Sequence, residues 1–200
     1  MYSYRIEQAL KAVTILHKDQ VRKGSVAIPY ISHLFAVALI VNDYTNDEDV
    51  LIATLLHDTL EDTDYTSEEL QDDFGGKVRE IVETLSEPKG TEFQSLTWKD
   101  KKIYYAKSLR KASEEALIIA AADKIHNMRS IVEEYYDDHS RFLADFQGSL
   151  EDRALMYQDI SNALNRSLKN DIINEFNHVF EEYKNFIIDV KKSKGESERF

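Results

Sequence analysis

Apolar positions recur every three to four residues along almost the whole chain. That spacing puts them on one face of an α-helix. The pattern predicts helices over roughly 3–20, 31–43, 47–62, 66–72, 75–86, 98–109, 113–136, 149–168 and 170–191. Asn46 or Asp47 can cap the third, and Thr66 with Glu69 makes a capping box for the fourth. Gly75-Gly76 closes that short helix and opens the next. Only six glycines and two prolines punctuate the 200 residues, and the longest clear loop, 86–97, holds Pro88 and Gly90. No segment alternates in the manner of a strand, so the expected fold class is all-α. One domain is expected over 1–190, followed by a charged, frayed tail over 191–200.

One apolar helix breaks the amphipathic rule. Within VLIATLLHDTLEDT, His57, Asp58, Glu61 and Asp62 fall on one arc, while Leu51, Ile52, Leu55, Leu56 and Leu60 take most of the circumference. Burying such charges costs several kcal/mol per group, roughly, unless a metal or strong hydrogen bonds offset it. The alternative is a solvated acidic helix end with His57 at the water line. His33, in PYISH, lies at a helix start, where a lone histidine is often structural. Asp123 follows six small or apolar residues, 117–122, so its carboxylate is drawn into the core, as a ligand or paired with Lys124.

Together His33, His57, Asp58 and Asp123 offer two imidazoles and two carboxylates from three helices. That donor set suits Mn²⁺, Fe²⁺ or Zn²⁺, and its oxygen content favours Mn²⁺. Such an ion lowers the pKa of water and polarises a phosphoryl group. Glu61 and Asp62, one turn on, could orient or deprotonate the water as general base. Arg22-Lys23-Gly24 supplies two cations for a phosphate or a base, or else an ordinary basic helix end.

Composition narrows the classes. The 42% hydrophobic content supports a real core, and the absence of cysteine removes disulfides, thiolate zinc sites and cysteine nucleophiles. A net charge of −12 argues against a nucleic-acid surface, though not against a small anionic substrate in a locally positive cleft. The start MYSYRIEQALKAV lacks a signal pattern, and no apolar run reaches the roughly 18 residues a membrane span needs. A cytoplasmic protein is expected.

Arg22-Lys23, PYISH, His57-Asp58 with LEDT, and ADKIHNM from Ala122 occur in an order that resembles the HD-domain hydrolases of the RelA/SpoT group. The resemblance covers roughly 3–135 and is most specific in DTLEDTDYTSEELQDDFGGKVREIVETLSE. It is to the small stand-alone type, which includes metazoan SpoT homologues, and implies a helical HD bundle with a metal site between helices. The implied activity is Mn²⁺-dependent removal of the 3′-pyrophosphate from guanosine tetra- or pentaphosphate, without alarmone synthesis. His33, His57, Asp58 and Asp123 match the family's metal ligands, and Glu61 and Asp62 match the pair that handles the attacking water. Arg22 and Lys23 match the cations around guanine. Asn127, Ser130 and, more loosely, Tyr157 match nucleotide contacts. His126 is read as structural. The chain departs from the family at Leu34, where proline is usual, at Lys124, where arginine is usual, and by an insert over 137–147. The expected partner is a small-molecule nucleotide, with no nucleic acid and no membrane, and a homodimer is admitted. Two alternatives stay open: an HD phosphohydrolase acting on another nucleotide or on NADPH, and a helical module that senses a nucleotide without hydrolysing it.

Overall fold

The computed structural model describes residues 2–22, 26–87, 96–137 and 150–193. They form α1 (Tyr4–Leu16), α2 (Ile31–Asn42), α3 (Glu48–Leu56), α4 (Thr59–Asp62), α5 (Ser67–Phe74) and α6 (Gly76–Leu85). Then come α7 (Trp98–Ser108), a 3₁₀ turn (Leu109–Lys111), α8 (Glu114–Asp137), α9 (Leu150–Ser167) and α10 (Ile172–Ser193). Among the described residues there is no strand, only an isolated bridge between Val21 and Pro29. The all-α class is observed.

Two helices run through the core. Every residue of α3 from Val50 to Leu56 is buried, as is each residue of α8 from Ala116 to Ala122. A helix apolar on all sides must be surrounded, and α3 packs against α1, α2, α6 and α8. The long α8 packs along α10 and also meets α2, α6 and α9. The N-terminal helices thus gather around α3, the later ones around α8, and the seam between them holds the candidate site.

Helix ends follow the expected polar signals. Asp47 caps α3 by accepting from the Asp49 amide at 2.9 Å, and Thr66 and Glu69 form the expected capping box on α5. Gly75 joins α5 to α6 at φ 92° and ψ 165°, a region open essentially to glycine alone.

Three boundaries differ from the sequence pattern. The first helix ends at Leu16 and not near residue 20, because the Gln20 carbonyl leaves the helix to accept from the Tyr30 amide at 2.9 Å. The helix expected over 47–62 is two helices, interrupted at His57-Asp58. Side chains cause the break by competing for carbonyls: His57 Nδ1 donates to the Thr54 carbonyl at 2.7 Å, and the Thr59 hydroxyl donates to that of Leu56 at 2.6 Å. The last helix, expected to end at 191, runs to Ser193, and Lys191, placed at the start of the expected tail, is buried. Lys23, Gly24, most of the 86–97 loop, the insert after Asp137 and the tail beyond 193 lie outside the described residues.

Candidate metal centre and adjoining cleft

The interruption at 57–58 has a chemical consequence. Neighbours in one continuous helix point about 100° apart, whereas here both side chains enter one chamber, with His57 Nε2 3.3 Å from Asp58 Oδ2. His33, in the first turn of α2, adds its Nε2 at 3.8 Å from that same oxygen. His33, His57 and Asp58 each offer one donor atom, all within 4.8 Å of one another. Asp123 comes from the middle of α8, with Oδ1 3.2 Å from His33 Nε2 and 4.0 Å from His57 Nε2. Four groups separated by up to 90 residues of chain therefore converge.

Surrounding groups fix this arrangement. The Tyr30 hydroxyl donates to Asp58 Oδ2 at 2.5 Å, and burial with Asp58 nearby pushes its pKa far upward, so it stays a donor. His33 Nδ1 shares a 2.9 Å hydrogen bond with His126 Nδ1. His126 is thus more than packing: it holds the outer nitrogen of His33 and orients the ring, as partners of metal-bound histidines do. Burial and the nearby His33 push His126 down to about 4. Burial alone would raise the Asp123 carboxyl. Lys124, its Nζ 2.5 Å from Oδ2, overcomes that and, with His33 and His57, holds it well below the usual range. The pairing with Lys124 is present on one oxygen, Oδ2, while the other, Oδ1, faces the histidines and accepts from Asn127 Nδ2 at 2.5 Å.

A cation fits these residues. The Thr54 carbonyl takes the proton on His57 Nδ1, and among the described residues the buried Nε2 has no hydrogen-bond partner. Burial opposes a proton on His57, yet Asp58 and Asp123 draw positive charge strongly enough to raise its pKa. A divalent ion would satisfy those carboxylates while leaving the imidazole neutral, as a ligand must be. Adjacent donors around such an ion stand roughly 3 Å apart for bonds of ~2.0–2.2 Å, close to the shorter separations here.

Glu61 and Asp62 line the same chamber, of about 160 Å³. Glu61 is half-buried, accepts from the Glu87 amide, and burial pushes its pKa up to about 7. Asp62 is more exposed and lies at the mouth. The chamber shares Tyr30, Lys102, Lys124 and Asn127 with a larger cleft of about 660 Å³. Arg22 lines that cleft, its guanidinium 3.2 Å from Asn127 Oδ1 and 5.8 Å from the centre of the Tyr30 ring. Ser130 and Tyr157 line it too, although Tyr157 is buried edge-on against Tyr183 and exposes little surface.

Sequence patterns did not single out Lys102, Arg153, Trp98 or Tyr30 as part of a site. Lys102 reaches Glu87 at 2.6 Å and borders both cavities, while Arg153 lies 5.8 Å from the Trp98 ring on the cleft wall. Tyr30 carried a usable signal, since it immediately precedes the helix start that presents His33. The others sit among charged residues of ordinary amphipathic helices.

An HD domain family model matches residues 9–145. Among curated proteins, the Escherichia coli bifunctional (p)ppGpp synthase/hydrolase SpoT is 35% identical over 133 residues, 64% of this chain and 18% of that one. The human guanosine-3′,5′-bis(diphosphate) 3′-pyrophosphohydrolase MESH1 is 31% identical over 147 residues, 66% of this chain and 79% of that one. The chain thus spans under a fifth of the long bacterial relatives and most of the human one. Among solved structures, a metazoan SpoT ortholog described as hydrolysing ppGpp superposes with a TM-score of 0.75 at 24% identity, covering 91% of this chain and 97% of that one. That likeness establishes the fold.

Proposed function

The chain belongs to the HD domain family, and from that premise we propose that it hydrolyses guanosine 3′,5′-bis(diphosphate) at its 3′-diphosphate. The products are pyrophosphate and GDP, or GTP from the pentaphosphate. One observation carries this: a chamber with four N and O donors and three further carboxylates, Glu61, Asp62 and Glu87, shares a wall with a cleft of nucleotide size edged by cations. The names of the curated relatives support the substrate.

His33, His57, Asp58 and Asp123 would hold the ion, which we assign as Mn²⁺ from the mixed imidazole and carboxylate set. When bound, it supplies positive charge that polarises a phosphoryl oxygen and acidifies water. Glu61, fixed by the Glu87 amide, accepts the proton of the attacking water, and Asp62 orients that water from the mouth. Arg22, beside the Tyr30 ring, is assigned to the base, Lys102 and Arg153 on the cleft wall to the phosphates, and Asn127, which borders both cavities, to the ribose, with Ser130 and Tyr157 as further nucleotide contacts on the cleft lining. Lys23, expected beside the base, lies outside the described residues.

The test is pyrophosphate release from guanosine tetraphosphate by the purified, Mn²⁺-loaded protein. Sustained turnover is expected. None in a metal-replete sample would overturn the proposal, tight binding without product would leave a nucleotide sensor, and faster turnover of NADPH or another nucleotide would reassign the substrate.

A further inference from the structure

His17 stands just past the end of α1 and is 2% exposed, yet it touches neither cavity described above. A buried imidazole is an expensive way to fill a core. Among the described residues its Nε2 has no hydrogen-bond partner, so packing does not account for it. Its other nitrogen, Nδ1, lies 2.7 Å from Gln20 Oε1, and the ring stacks on Tyr30 with centroids 5.4 Å apart and planes 25° from parallel.

Gln20 is bound on three sides. Its amide oxygen takes the hydrogen bond from His17, its amide nitrogen donates to the Asp62 main-chain carbonyl at 2.7 Å, and its own carbonyl accepts from the Tyr30 amide at 2.9 Å. Tyr30 in turn donates its hydroxyl to Asp58. Two residues thus reach both ends of the short helix α4: Asp58 before it through the tyrosine, and Asp62 within its last turn through the glutamine. A four-residue helix cannot hold its own geometry, since nearly all its backbone groups lie at a terminus. Its orientation must come from outside.

We propose that His17 and Gln20 are positioning residues that lock α4, and with it Glu61 and Asp62, at the angle required for water activation. This rests on the hydrolase proposal above. His17 sets which end of the Gln20 amide faces Asp62: with Nδ1–H donating to Oε1, the amide nitrogen must turn toward the Asp62 carbonyl. Neither residue touches the nucleotide or the ion.

Two variants separate the links. Gln20→Glu keeps an acceptor for His17 but has no hydrogen to donate to Asp62, while Gln20→Met fills the space and loses both bonds. In the Mn²⁺-loaded protein each should lower kcat for guanosine tetraphosphate about 10- to 100-fold, the range seen when outer supports of a site are removed. KM and the Mn²⁺ dissociation constant should stay within about threefold, whereas a general loss of structure would move all three. His17→Gln, which can still donate to the Gln20 amide, should recover more kcat than His17→Leu. Hydrogen exchange gives a readout that needs no turnover: amides of residues 61–63 should exchange faster in Gln20→Met than in the wild type, with those of α10 unchanged. Wild-type kcat in both Gln20 variants, or unchanged exchange at 61–63, overturns this inference. Absence of turnover in the wild type would instead overturn the hydrolase proposal, leaving exchange to decide the positioning role.

Discussion

The metal chamber and the cleft beside it are built on opposite principles. Chamber groups come from the middle of the core, on α2, at the α3–α4 break and on α8, and nearly every one is held by a second residue. Cleft groups come from residues 21–22 and 26–32, from α8 beyond Asp123, and from α7 and α9, and some of their contacts are looser, as with Arg22 to Asn127 at 3.2 Å. A site that must hold a small ion needs fixed donors, because an ion tolerates little error in distance. A surface that grips a flexible polyphosphate works through charge, which falls off slowly with distance. Chemistry and substrate choice can therefore vary independently here.

The largest expected effect lies in the chamber. Asp58→Ala removes a candidate ligand and the acceptor of the Tyr30 hydroxyl together. Pyrophosphate release should fall on the order of 10³-fold or more, the scale seen when one member of a cooperating catalytic set is lost. If Asp58→Ala retained a tenth of the activity, the chamber would not be where the chemistry happens.

Metal removal probes the same region through stability. Without a cation, Asp58, Glu61, Asp62, Glu87 and Asp123 share one small chamber, and among the described residues the lysines lining it are Lys102 and Lys124. An ion present at 100 times its dissociation constant stabilises the folded state by about 2.7 kcal/mol. For a chain of this size that is a Tm rise of roughly 5–11 °C. Differential scanning fluorimetry with Mn²⁺ and then with a chelator should show the rise and its reversal, and His57→Ala should abolish it. An equal rise in that variant would place the ion elsewhere.

The cleft should answer in KM. Arg22→Ala removes one charge-assisted contact from the wall, worth about 1.5–3 kcal/mol for a bond to a charged partner. KM for guanosine tetraphosphate should rise roughly tenfold or more, with kcat changed far less. A matching fall in kcat would mean that the Arg22–Asn127–Asp123 chain transmits strain into the chamber, and the two regions would not be independent.

The same contrast decides how much could be read from the chain itself. His57, Asp58 and Asp123 were legible because each interrupts an apolar run, where a charge is costly and calls for a reason. His33 was less so, since one histidine at a helix start has many structural uses. The break at 57–58 was invisible: periodicity records which residues are apolar, while the interruption depends on His57 and Thr59 side chains bonding to carbonyls. His17 and Gln20 fit the helical pattern that ran to residue 20, yet the backbone there turns to meet Tyr30. Lys102 and Arg153 were hidden for a simpler reason. A cation on an amphipathic helix looks the same in sequence whether it faces bulk water or a cleft.

The smallest effect should come from a helix end outside both regions. The Thr66 hydroxyl accepts from the Glu69 amide at 3.2 Å, and the Glu69 carboxylate accepts from the Thr66 amide at 2.8 Å. Thr66→Ala removes the first bond and the hydroxyl's own 2.9 Å bond to the Glu69 carboxylate, a loss of about 1 kcal/mol for a typical cap, or roughly 2–4 °C in Tm. Hydrogen bonds from the Thr66 amide and hydroxyl hold the Glu69 carboxyl below its ordinary value. A carboxyl lowered by folding stabilises above its unfolded pKa, and that contribution is lost as pH falls through the folded value. The Tm gap between wild type and Thr66→Ala should therefore narrow in acid. Turnover per folded molecule should be unchanged, because α5 supplies no group to the chamber and none to the cleft. A kcat defect in this variant would show that loosening any neighbouring helix disturbs α4, and the contrast between a rigid chamber and a tolerant surround would fail.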